Sequence, residues 1–489
     1  MDRQRSTALV RWPVHALVLA AALACSEDPP PSRDLEALQD PETCAECHPD
    51  HYGEWLSSMH AYAADDPVFR AMNARAQRET DGELGDFCVR CHAPQAVALG
   101  LTEDGLNLDE VPQQHRGVTC WFCHQVDAVE GTHNNPLVLA IDGVLRADVP
   151  NALEPPTHGV ARSAFFDRNS LSSAKMCGSC HDIVTPGGAH IERTYAEWLA
   201  SFYSDATPDD PDEPELYAQT CNDCHMPRST GPIAEYPGVR GDRDRHSHMF
   251  VGVDVAITDF PDAELGPALR EWQRANIEEV RKTSLCASLC VREDLENGGA
   301  EVTVWLHNEA AGHSWPSGAT PDRRAWVELI ATDGGGQILL ESGVVADDEA
   351  VAELNDPNLW LLRDRIFDAE GNETHMFWEA ASVESELLPV PDSFGGGAHE
   401  LTWKSRTYAL PTMPARVNMR VRLRAIGREI LEDLVESGDL DAALLDEFET
   451  FEVPPASLEW TAAEAEPSEG EVDYGMCVSS SPGCKSPFI

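Results

Sequence analysis

The sequence predicts two unlike parts: a mainly helical or irregular N-terminal domain built round a repeated cysteine-histidine box, then an all-β, sandwich-like domain with a helical insertion or tail. Three observations predict it. Five Cys-x-x-Cys-His boxes lie between Cys44 and His225. The stretch that carries them has little hydrophobic periodicity and is punctuated by glycine and proline. After Pro261 apolar and polar residues alternate in several short runs.

The boxes are Cys44/Cys47/His48, Cys88/Cys91/His92, Cys120/Cys123/His124, Cys177/Cys180/His181 and Cys221/Cys224/His225. In such a box each thiol can add to a vinyl group of one haem while the next histidine binds the iron from the proximal side. Zinc is the alternative, because Cys-x-x-Cys is also half of a thiolate shell. Five half-sites cannot pair off, however, and zinc does not demand a histidine after every second cysteine. The boxes therefore predict five c-type haems, a pentahaem cytochrome domain over residues 41–260. Stacked porphyrins supply apolar mass, so weak periodicity is expected there, with short helices at 50–60, 65–79 and 193–203.

Residues 1–24 read as an export signal: Arg3, Arg5 and Arg11, an apolar run too short to span a bilayer, and small residues before Cys25. Ordinary cleavage after Ala24 would give a soluble periplasmic protein. Cysteine parity favours a lipid on Cys25: of 15 cysteines ten sit in boxes, Cys286, Cys290, Cys477 and Cys484 can form two disulfides, and Cys25 is left over. Resemblance to bacterial lipoproteins, with Ser26 after the cysteine, implies outer-membrane sorting. The expectation is a lipoprotein of the periplasm or cell surface on a tether over 25–40. Cys477 and Cys484 bracket a turn-rich loop that closes easily; Cys286 and Cys290 then pair by elimination, with three connectivities open. The tail 463–489 reads as acidic and mobile.

Against 85 acidic residues stand 35 basic ones, a net charge of -50. Such a surface repels nucleic acid and favours basic partners, cations or plain solvation. The partners expected are redox proteins, other cytochromes among them, and a membrane reached through Cys25. Self-association into an array is compatible.

Each iron also needs a sixth position filled or left open. A second histidine closes it for electron transfer; an open one can bind substrate. Spare histidines are His51, His60, His115, His133, His158, His190, His246 and His248 in this domain, and His307, His313, His375 and His399 beyond it. His246 and His248, two residues apart in an extended segment, would face one side. His115, just before the third box, is a runner-up.

The first box followed by Trp55-Leu-Ser-Ser-Met-His60 resembles the opening of multihaem cytochromes of the nitrifier tetrahaem and hydroxylamine oxidoreductase type. That resemblance implies a distal role for His60. Gly117-Val-Thr-Cys120 looks like the same family's middle box, Thr157-His158-Gly159 like its distal histidine before the fourth box, and Thr220-Cys221 to Pro227 like its last box. The likeness covers residues 41–254 and speaks for haem packing more than for chemistry.

Residues 261–292 predict a connecting helix, with helical spacing over 264–284. Alternation at 301–306, 325–330, 337–341, 376–378, 401–410 and 417–423 predicts the strands of a β-sandwich over 293–462. Its helical insertion is 429–448, with Leu431, Leu434, Val435, Leu440, Leu444 and Leu445 on one face. Gly312-His313-Ser-Trp-Pro316-Ser-Gly318 looks like a Gly-His-x-x-Pro-Thr-Gly loop of the relatives, which implies that His313 reaches an iron from outside the haem domain.

These readings favour an exported electron-transfer protein with mostly bis-histidine haems. The alternative is an oxidoreductase acting on a small nitrogen or sulfur species at one open haem. Against it stand the absence of a Cys-x-x-Cys-Lys box and fewer boxes than mark the hydroxylamine-oxidising branch.

Overall fold

The computed structural model describes residues 33–149, 157–204, 218–236, 239, 242–296, 298–308, 310–391, 403–468 and 473–480. The export segment 1–24, Cys25, His399 and Cys484 lie outside the described residues.

In the N-terminal part, polar caps decide where helices start. Asp34, Asp40, Ser58, Asp66 and Thr119 each accept a free backbone N–H at the start of Leu35–Leu38, Pro41–Ala45, Met59–Tyr62, Pro67–Glu79 and Cys120–His124. Thr220 and Asp223 cap Cys221–His225 reciprocally. The expected helices appear as Pro49–Leu56 with Met59–Tyr62, Pro67–Glu79 and Thr194–Ala200. Most are one or two turns long, too short to persist on propensity alone. Between them lie four two-stranded sheets, among them the hairpin of Ile183–Val184 with His190–Glu192.

The connecting segment is helical only over Gly266–Ser284; Leu285–Glu293 is a strand. Its first seven residues are all buried, so it lacks the alternation by which a half-buried strand is recognised. Two five-stranded sheets then face each other. One runs Trp403–Leu410, Ala300–Asn308, Leu285–Glu293, Met476–Ser479, Glu466–Pro467; the other Ile338–Ser342, Arg324–Thr332, Arg416–Arg424, Thr450–Thr461, with Trp360–Leu362 also on Arg324–Thr332. Alternate side chains meet in one core, Leu289, Val304 and Leu306 from the first sheet against Val327, Val421 and Trp460 from the second. The expected strand at 376–378 does not form: residues 377–379 make a turn, with Met376 buried and Phe377 packed on the cluster that holds Ala189 and Ile191 of the hairpin.

The expected disulfides are also corrected. Cys290 bonds Cys477, and Cys286 is disulfide-bonded too, so neither Cys477–Cys484 nor Cys286–Cys290 forms. Cys290 and Cys477 are direct antiparallel neighbours with Cα atoms 4.0 Å apart. Cys286 and Cys290, four residues apart in one strand, are separated by roughly 13 Å of backbone rise.

The helical insertion, Arg428–Glu436 followed by Ala442–Glu447, turns its leucines not into the sandwich but onto Val68, Ala71 and Met72 of Pro67–Glu79. Arg78 grips Asp439 through both guanidinium nitrogens beside it, at 2.6 and 2.7 Å. At the other side, Arg193 meets the fully buried Asp364 at 2.7 Å. The two parts thus share apolar and ionic contacts.

Candidate functional site

Residues i, i+3 and i+4 of a helical turn lie on one face, so each box presents two thiols and an imidazole together. The turns are closed by His48 N to Cys44 O (2.7 Å), His92 N to Cys88 O (3.3 Å) and His181 N to Cys177 O (3.2 Å). All ten box cysteines and all five box histidines line a single cavity of about 1460 Å³. Its wall is mostly apolar, with Trp55, Phe122, Phe166 and Phe250 among the lining.

Box neighbours follow from side-chain contacts. Cys44 touches Cys120, Cys91 touches Cys180, and Cys177 touches Cys221. Cys123 also lies near Cys177. The fourth box therefore adjoins the second, third and fifth, and the first adjoins the third.

Metal–imidazole bonds of about 2.0–2.1 Å place two rings that share one metal from opposite sides with centroids roughly 6.3 Å apart. Four box histidines have such a partner: His48 with His158 at 6.5 Å, His124 with His248 at 6.4 Å, His181 with His60 at 6.2 Å and His225 with His313 at 6.4 Å. His92 has none among the described residues. Its ring stacks on Phe69 at 4.1 Å and 2°. Face-to-face stacking leaves the ring edge, where Nε2 lies, uncovered by that phenyl group.

The opposite ring nitrogens are anchored. Nδ1–H donates to a main-chain carbonyl in His48 (Ile233, 2.7 Å), His92 (Ala63, 3.3 Å), His124 (Arg146, 2.6 Å) and His225 (Val251, 2.8 Å). The same holds for His158 (Gly159), His248 (His246) and His313 (Ser314). A proton fixed on Nδ1 leaves the Nε2 lone pair free for a metal. Burial favours the neutral ring at seven positions, pushing His60 down to about 3 and His313 to about 4 and lowering His48, His92, His124, His225 and His248. His181 differs: burial works to lower it, but the Glu192 carboxylate, 3.1 Å from Nδ1, raises it to about 9.

Backbone close approach places His60. Gly117 has φ +72° and a Cβ there would lie 2.7 Å from the His60 carbonyl, which accepts Val118 N at 2.8 Å. His313 is held from the haem side. Glu197 accepts Ser314 N (3.2 Å) and Ser317 Oγ (2.7 Å), and Thr194 Oγ1 accepts Gly318 N (3.2 Å).

The other candidates lie differently. His246 lines the cavity, but its Nε2 accepts Arg168 Nε at 3.2 Å. His115 is outside the lining, its Nδ1 2.8 Å from Gln95 Nε2. His133 and His190 are 6.1 Å apart at 55°, yet both are exposed, neither lines the cavity and neither follows a cysteine pair. His51, which carried no local signal, sits 4.9 Å from His248 and 6.0 Å from His48. Arg168 and Glu192 were likewise not singled out by the sequence.

The donor set fits c-type haem: paired thiols, an anchored imidazole beside each pair, and a shared apolar wall. It does not fit zinc. A zinc shell needs four donors converging on one point, and among the described residues no three or more His, Cys, Asp or Glu groups converge as a metal cage.

Residues 43–125 match the family model "Cytochrome c554 and c-prime". A search of curated proteins found no match. Among solved structures, the chain is similar to a penta-heme cytochrome c552 from Thermochromatium tepidum, with 20% identity, a TM-score of 0.58, and coverage of 88% of this chain and 100% of that one. That likeness shows the fold, a helical and irregular first part followed by a large β-rich one. The box chemistry, the family match over the first three boxes and the shared fold together support a multihaem c-type cytochrome.

Proposed function

We propose that the chain is an exported pentahaem electron-transfer protein. When bound, each haem would supply an iron that exchanges one electron. The observation that carries the reading is the set of four imidazole pairs, 6.2–6.5 Å apart, around one cavity that joins all five boxes. His48 with His158, His124 with His248, His181 with His60 and His225 with His313 would hold four irons closed. The contacts between boxes give a path from the first through the third to the fourth, which branches to the second and fifth.

The second box favours a further reading. His92 has no imidazole partner among the described residues, so its iron would keep a position open for a small nitrogen or sulfur species. His246 and His115 would serve hydrogen bonding rather than iron, given Arg168 and Gln95 on their ring nitrogens.

Export and a lipid on Cys25 complete the proposal, with redox proteins as partners; among the described residues no helix is long and apolar enough to cross a membrane. Palmitate labelling lost in Cys25→Ala tests the anchor. For the haems, carbon monoxide is titrated into the reduced protein while electron paramagnetic resonance counts low-spin irons in the oxidised one. One CO-binding haem beside four low-spin ones, with no turnover of nitrite, hydroxylamine or sulfite, is the electron-transfer result. Turnover would establish the second reading. Several CO-binding haems would contradict the imidazole pairs.

A further inference from the structure

Seven of the histidines around the cavity rest their Nδ1 on a neutral main-chain carbonyl. His181 rests on a carboxylate, Glu192 Oε1, at 3.1 Å. The placement is built. His190–Glu192 folds back on Ile183–Val184 with Glu192 opposite Ile183, two residues after the box histidine. The turn is closed by Thr185 N to Ala189 O (2.8 Å), and Thr185 Oγ1 ties it to Ala380 O of the C-terminal part at 2.6 Å. Ala189 and Ile191 pack on Ile366 and Ala380, which fixes the strand that carries the acid.

Among the described residues no lysine or arginine pairs with Glu192. Its ion pair there is with His181, while the adjacent Arg193 is taken by Asp364 at 2.7 Å and Glu197 at 3.6 Å. The Glu192 side chain is 17% exposed, against 52% for that of His181, which lines the cavity.

A carboxylate accepts the Nδ1 proton more strongly than an amide carbonyl does, giving the ring imidazolate character and making Nε2 the stronger donor. Stronger donation stabilises ferric over ferrous iron. We propose that Glu192 tunes the iron bound by His181 and His60 to the lowest reduction potential of the four imidazole-paired sites. This rests on the reading of the boxes as haem sites. Glu192 touches no iron; it is a positioning and tuning residue acting through His181. The fourth box adjoins the second, third and fifth, so the site most reluctant to hold an electron stands at the branch of the path, next to His92.

The test is a reductive titration of the full-length holoprotein, followed by electron paramagnetic resonance, for wild type and Glu192→Gln. Gln keeps the shape and an acceptor but removes the charge. The expected result is that the last low-spin signal to disappear in wild type moves to higher potential in the variant, the other low-spin signals staying in place. An unmoved last signal, or a uniform shift of all signals, overturns the proposal. A second readout needs no variant: in wild type the last signal should carry the narrowed g-spread of an imidazolate-ligated ferric iron, and its appearance on any other component also overturns it. A protein with no haem at all would instead sink the reading of the boxes.

Discussion

His313 stands outside the haem-box domain, and its ring lies 6.4 Å from His225. His313→Ala should therefore convert one low-spin haem into a CO-binding one without loss of haem content, read by CO titration; His115→Ala should change neither. Gly117→Ala forces a side chain into the left-handed region against the His60 and Ala61 carbonyls. It should cost about 1–3 kcal/mol in denaturant unfolding. Asp322 is buried, and burial pushes its carboxyl up to about 7 against the opposing pull of Arg324 and Arg323. The folded value exceeds the ordinary unfolded value of about 3.9, so the native state holds the proton more tightly and stability falls as pH rises from about 4 to about 7. Asp322→Asn should flatten that fall and raise stability at pH 8 by on the order of 1–3 kcal/mol, measured by urea midpoints across pH. At this scale the box residues were legible because two thiols and an imidazole on one face of a helical turn require a fixed local spacing. His60 and His313 stood out by their flanking residues. The different surroundings of His246 and His248 were not legible, since Arg168, which holds His246 Nε2, lies far off in sequence. Glu192 was invisible because a hairpin, not a motif, brings it to His181.

The elements divide the same way. The leucine face of 429–448 announces itself by helical spacing, but nothing in the spacing says that it covers the helix Pro67–Glu79. Leu434→Ala, at a fully buried position in that contact, should cost roughly 2–5 kcal/mol, read by thermal or denaturant unfolding. Leu285–Glu293 escaped detection because burial on both faces removes alternation. Thr450–Thr461 was hidden by Pro454 and Pro455, and the strand accommodates them where its register shifts against Arg420 and Val421. The bond between Cys290 and Cys477 ties the C-terminal strand to the centre of its sheet across a sequence separation of 187. Cys477→Ser should lower stability by about 2–4 kcal/mol, compared under oxidising and reducing conditions.

In the whole molecule, short capped helices and small sheets ring one cavity, and the sandwich closes over it through His313, Asp364 and the helical insertion. The net charge of -50 suits partners that present basic patches and predicts association that weakens as salt is added. What the five boxes hold decides the rest. Intact mass spectrometry of the purified protein, paired with pyridine haemochrome absorbance, measures it directly. The predicted result is five covalently attached c-type haems per chain; a chain without covalent haem, or one whose boxes carry zinc instead, would contradict it.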